Sequence, residues 1–378
     1  MIDSLAVIPA ADPIPLPAPA GLLRALLVFT FALHLIPMNL TLGGSVITAW
    51  TDWRGRRAGC ERRRALVGIL TRALPVVTTF TITLGVAPLL FLQVLYGQMF
   101  YTSSVLMAWP WLSVIPLLVV GYAGLYLYAL RRDRLGDRGP LVGAVSALTF
   151  SLVGFLYTNN LTLMLTPDRW HGLYRSGPAG LHLNLGDPTV IPRFLHFFLA
   201  ALAFTGVSIA LYGLSRLRRG DEAAGRYAVR YGGIWFLAPT AAQFGVGLWF
   251  LFSLPARVRG LFLGGDVVAS GHLWGGVMFA VIALLLIGMA HHAPDPRRLV
   301  LAGAGCLVVT ILSMVVARDT VRTAMLAPVF KTADLPSAPQ TGVILLFGAL
   351  LFGAVVVIVR MLRWMKVSTG REAEGPYA

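Results

Sequence analysis

Apolar positions occur along this chain in long unbroken runs, without the strict alternation of a half-buried strand or the one-sided stripe of a surface helix. The runs fall at roughly 22–50, 66–95, 105–130, 141–166, 190–214, 231–254, 270–290, 299–317 and 341–364, separated by short segments rich in Arg, Gly and Pro. A bilayer core of about 30 Å takes about 20 apolar residues per helix, and each run is about that long or longer. Lipid offers backbone groups no partners, so a spanning chain must close its hydrogen bonds within helices or a sealed barrel. Runs this uniform lack the in–out alternation of barrel strands. The pattern predicts an all-α polytopic membrane helix bundle of about nine transmembrane helices. Residues 1–21 form a Pro-rich outer segment, 22–364 the transmembrane domain and 365–378 a tail.

Composition removes the soluble alternative. Of 378 residues, 57% are hydrophobic and 12% charged, half the roughly 25% of a soluble domain, and mean hydropathy is +0.76. The net charge of +15 follows from topology, because membrane proteins concentrate Arg and Lys in cytoplasmic loops. Segments 54–64, 131–138, 216–230, 297–298 and 360–371 hold about 21 of the 31 basic residues, and the alternate set holds about seven. This asymmetry places the N-terminus outside and the C-terminus in the cytoplasm. It argues for membrane lipid, and against nucleic acid, as the partner of the positive charge. The N-terminus lacks the basic n-region of a signal peptide. Cys60 and Cys306, the two cysteines, exclude a disulfide framework, and without a Cys-x-x-Cys-His there is no covalently attached haem.

Ionisable groups inside spans are costly and default to functional candidates. His34 lies in the first run, His196 at the outer start of the fifth and His272 at the outer start of the seventh. Inward-facing histidines, sometimes paired with Met, are what a haem iron takes as axial ligands. A histidine hydrogen-bonded between helices is the alternative reading, and Met278 by itself reads as core packing. His272 and Met278, six residues apart, differ by about 9 Å of rise and about 240° of rotation and cannot both face one iron. Asp319 and Arg322 share a helical face. All four glutamates, Glu61, Glu222, Glu372 and Glu374, fall in cytoplasmic segments and no Asp occupies the middle of a run, so a carboxylate relay across the bilayer is not expected. Gln93, Asn159, Asn160 and Gln243 remain as amides that tie helices together.

These residues resemble subunit I of the cytochrome bd quinol oxidases over nearly the whole chain. Arg24, His34 and the stretch from Leu35 to Gly43 are similar to the family's opening helix. Leu84-Gly-Val-Ala87 with Gln93, Met164-Leu-Thr-Pro167, Pro192-Arg-Phe-Leu-His196, Trp274-Gly-Gly-Val-Met278 and Ala317-Arg-Asp-Thr-Val-Arg322 follow in the family's order. The resemblance implies haem b, more than one copy, with His196 and Met278 on a low-spin haem and His272 as a substitute ligand. It implies that His34 binds a second haem, with Arg24 and Arg322 as propionate partners. Gln93 stands where the family has its oxygen-site glutamate, Asp319 where a glutamate ligates a haem, and the outer loop of the quinol site shrinks to 255–269.

The resemblance combined with the missing acids points to an oxidoreductase component of a bacterial inner membrane. It would carry electrons between the quinone pool and an outer-side c-type cytochrome, beside a second membrane subunit. A terminal oxidase subunit, with haem d, is the alternative; a haem-free anchor or transporter is the third reading.

Overall fold

The computed structural model describes residues 14–177 and 179–371. Residues 1–13 and 372–378, which carry parts of the expected outer segment and tail, lie outside the described residues. The helices are α1 Ala20–Arg57, α2 Glu61–Leu106, α3 Ala108–Leu112, α4 Val114–Leu135, α5 Gly139–Met164, α6 Trp170–Ser176, α7 Val190–Arg218, α8 Glu222–Ser253, α9 Ala256–Gly260, α10 Val267–Ala290, α11 Arg297–Leu326 and α12 Thr341–Arg371. Among the described residues, seven helical stretches are long and apolar enough to cross a bilayer, and the apolar part of α12, Thr341–Val357, is shorter. The runs expected at 105–130 and 141–166 lie in one of these stretches, Ala108–Met164, which reverses at Gly136. That residue adopts φ +48°, a conformation glycine reaches without a Cβ penalty.

Helices outrun the apolar windows because polar residues continue them past the lipid. α1 proceeds through Thr51 and Asp52 to Arg57, and α2 continues to Leu106 despite Pro75 and Pro88, with its kink at Tyr96. Neighbouring helices re-satisfy backbone groups freed by such prolines, which is why membrane helices tolerate them.

The helices pack as antiparallel hairpins. Gly44 meets Leu74 between α1 and α2, Gly121 meets Thr149 between α4 and α5, and Gly276 meets Met314 between α10 and α11. A close backbone seam also joins α7 to α8, where a Cβ on Gly206 would stand 2.6 Å from the Gly232 carbonyl oxygen. Without a hydrophobic drive between helices in lipid, such backbone approach supplies the association energy through packing.

Four turns gather at one end, the basic end. Arg56 there lies 4.0 Å from Asp137, Arg226 donates to the Pro294 carbonyl and Arg230 to that of His291. In the α7–α8 turn Asp221 caps α8 through the Ala224 N–H and pairs with Arg216. These contacts hold its carboxyl below the usual carboxylate range, the Arg216 hydrogen bond being the larger cause. At the opposite end the proline segment is pinned to the approach to α12, Leu16 bonding Pro336 and Ala338. The loop after α6 is anchored where the Asn184 N–H donates to Asn159 Oδ1 at 2.8 Å.

Candidate functional site

The charged residues of the opposite end converge. Arg24, on the first turns of α1, donates to Asp319 of α11 at 2.5 Å. Arg322, one turn beyond, also binds Asp319, as the i, i+3 spacing predicts. Its guanidinium lies 4.8 Å from the ring centre of Tyr96 on α2. Arg318 packs 4.2 Å over Phe31 and lies within electrostatic reach of Arg193 and Arg322. Arg193, on the first turn of α7, packs over Phe250 of α8 at 4.9 Å and senses Asp187. Four arginines are thus set against two aspartates, with Arg193, Arg322, Asp187 and Asp319 all buried.

Such an arrangement is electrostatically incomplete. A buried charge costs several kcal/mol unless paired and hydrogen-bonded, yet the Nε atoms of Arg193 and Arg322 are buried without partners. Both Asp319 oxygens are already engaged. The site therefore presents donors and positive charge to an anion.

The two histidines share this half of the bundle. His34 stands about 15 Å below Arg24 along α1, at 1.5 Å per residue. Its ring packs against α2 so closely that a Cβ on Gly85 would lie 2.9 Å from its Cε1. His34 is within electrostatic reach of Arg318, which links it to the arginine group. His196, one turn below Arg193, packs likewise on α8, where a Cβ on Gly247 would stand 3.4 Å from its Cε1. Its own carbonyl accepts from Gln243. The Nδ1 atoms of both rings are buried and unpartnered. Two glycine-backed histidines in the same half of the bundle as two guanidinium groups whose Nε donors lack partners fit a planar dianionic group with a ligand-seeking metal.

The remaining expected residues are placed as follows. Met278 is 52% exposed, on the side of α10 about 200° round from Gly276, which faces α11. His272 is half-buried on the same helix, and Gln93 is half-buried on α2, one turn before Tyr96. The fold thus joins Arg24, Asp319 and Arg322 directly, and His34 to this group electrostatically through Arg318. Among the described residues no three His, Cys, Asp or Glu side chains converge as a metal site.

Sequence reasoning passed over Arg193 and Arg318 as members of the group, and Asp52. Asp52 lies at the other end of α1, fully buried, accepting from Tyr128 at 2.6 Å and Arg56 at 3.1 Å.

No protein-family description and no curated protein matches the chain. Among solved structures it is similar to the bd oxidase from Geobacillus thermodenitrificans, with a TM-score of 0.70 at 14% identity, covering 93% of this chain and 99% of that one. This multi-pass helical membrane protein has a fold of the bd-oxidase type.

Proposed function

We propose that this protein is a haem-binding, electron-transferring subunit of a bacterial inner membrane. Nine spans carry it, N-terminus outside and the basic end in the cytoplasm. The observation supporting this is the group of buried, unpartnered nitrogens on His34, His196, Arg193 and Arg322, all in the outer half. Haem b supplies reversible one-electron chemistry when bound. His196, with Met278 or His272 from α10, holds one haem, and His34 a second. Arg24, Arg193, Arg318 and Arg322 orient the propionates and hold their negative charge at this depth. Asp319, with both oxygens on arginines, acts as counter-charge in place of an iron ligand. Phe250, Tyr96 and Phe31 cover the guanidinium faces and exclude water. Electrons pass between the quinone pool and an outer-side redox partner such as a c-type cytochrome. The exposed apolar face of α12, with Leu350 65% and Phe352 71% exposed, meets lipid or a second membrane subunit.

A second reading, a terminal oxidase, is favoured by the hydroxyl cluster below His34, where Thr41 lies 2.8 Å from Thr81 and 3.3 Å from Thr78. Oxygen uptake with quinol or reduced cytochrome c separates the two.

The direct test is pyridine-haem extraction and a reduced-minus-oxidised spectrum of purified protein. The reading expects at least two b-type haems, with loss of one on His34→Ala and of another on His196→Ala. A correctly folded protein devoid of haem refutes it.

A further inference from the structure

The redox site proposed above lies far from the cytoplasm, and α1 connects the two. Counting from His34, the positions Thr41, Ser45, Thr48 and Asp52 follow at steps of seven, four, three and four. At 100° per residue all five fall within about 60° of one another, and the line from Asp52 to His34 spans about 27 Å. Every member of the lower part is buried: Thr41 is 4% exposed, Ser45 1%, Thr48 1% and Asp52 0%. Asp52 also borders a polar cavity of about 520 Å³ at the basic end, with Arg56, Arg64, Arg132 and Asp133.

Hydroxyls that serve packing alone satisfy themselves on their own helix, and Ser45 does donate to the Thr41 carbonyl. Thr48 breaks that pattern, because its Oγ1 is buried with no partner. It stands midway between Ser45 and Asp52, where a water with two polar neighbours would satisfy it. Above Ser45, Thr41 joins Thr78 and Thr81 of α2, carrying the line to the helix face against His34.

We propose that this stripe is a proton-uptake path, with Asp52 as its mouth and the cavity as a water-filled vestibule. It rests on the reading of His34 as a redox site, where reduction of oxygen or quinone consumes protons. Asp52 takes a proton from vestibule water. Each bridging water or hydroxyl accepts one proton on its oxygen and passes its own onward, so one proton enters at Asp52 for each delivered near His34. No carboxylate is then needed in mid-span. The groups facing Asp52 are Tyr128, which donates to it, Arg56 from its own helix, and across the cavity Arg64, Arg132 and Asp133. Together they keep the mouth hydrated and polar.

The deciding experiment reads water access without any cofactor. Cysteine is placed at Thr48 or at Ile47, equally buried and at the same depth on another face, in a Cys60→Ser, Cys306→Ser background. After transfer to D₂O, infrared S–H loss is expected to be at least about tenfold faster for Thr48→Cys than for Ile47→Cys, protection being a measure of local water access. Equal rates overturn the path. In haem-loaded protein, Asp52→Asn should slow the proton uptake accompanying reduction, read with a pH dye, by about a hundredfold, the usual scale of a positioned proton-transfer group. Asp52→Glu should restore it with the haem spectrum unchanged; normal uptake in Asp52→Asn overturns Asp52 as the mouth. A haem-free protein with fast exchange at position 48 refutes the redox assignment and leaves the water path standing. A haem-loaded protein with equal exchange refutes the path alone.

Discussion

Neutralising Asp319 tests the charge argument at its centre. Asp319 is 5% exposed and holds Arg24 and Arg322, itself 5% exposed. Removing one partner of a buried ion pair leaves the other charge uncompensated, at a cost of about 3–5 kcal/mol. Arg24 adds little to that figure, because its side chain is 41% exposed and exposed pairs are worth at most about 1 kcal/mol. Asp319→Asn in haem-depleted protein is therefore expected to lose about 3–5 kcal/mol in denaturant unfolding followed by tryptophan fluorescence. Arg322→Met added to it should recover most of the loss, since the orphaned charge is gone. The double-mutant cycle would then report a coupling of about 3 kcal/mol or more, at the top of the range for residues in direct contact. Haem loading should shrink the single-mutant penalty, because propionates supply the missing negative charge. A loss below 1 kcal/mol, or a double mutant no more stable than Asp319→Asn, would refute a desolvated cluster. An equal penalty with and without haem would refute the propionate role.

The α7–α8 seam predicts that Gly206→Val costs at least about 1–3 kcal/mol, the range for overpacking a filled contact, while Gly245→Ala, where a Cβ meets nothing, leaves unfolding unchanged. Phe236 is 1% exposed in the core of α7, α8, α10 and α11, so Phe236→Ala should lose about 3–5 kcal/mol through the cavity left behind; a loss under 1 kcal/mol would contradict that packing. The α7–α8 turn supplies a pH test. Because Asp221 is held below its unfolded value of 3.8, its stabilisation is complete above that pH and fades as pH falls through the lower folded value. The difference in melting temperature between wild type and Asp221→Asn should accordingly vanish on strong acidification, and a constant difference would exclude the titration.

What the sequence revealed and concealed follows from range. Runs of apolar residues disclosed the helices because lipid enforces a local rule, and Asp319 with Arg322 was legible because i, i+3 is local. Arg24 as the third member was invisible to spacing, lying 295 residues from its partner. Arg193 and Arg318 stood inside the quoted motifs with no role given to them, and it is tertiary packing over Phe250 and Phe31 that brings them into the group. Asp52 escaped because the apolar window closed at 50, before a helix that runs to Arg57. The spacing Thr41, Ser45, Thr48, Asp52 was the available signal. The expected pairing of His196 with Met278 depends on how α10 is rotated, which its uniformly apolar sequence does not encode.

The pairing of Arg24 with Asp319 also sets a timetable for biogenesis. Arg24 leaves the ribosome early, and its counter-charge follows 295 residues later, about 15–60 s at 5–20 residues per second. During that interval α1 resides in the membrane with a cation that its own hydrophobicity must tolerate. The arrival of α11 is the event that neutralises it, so the ion pair that ties the opening helix to α11 closes near the end of synthesis. A ribosome arrested before residue 319 would leave α1 without that tie to α11.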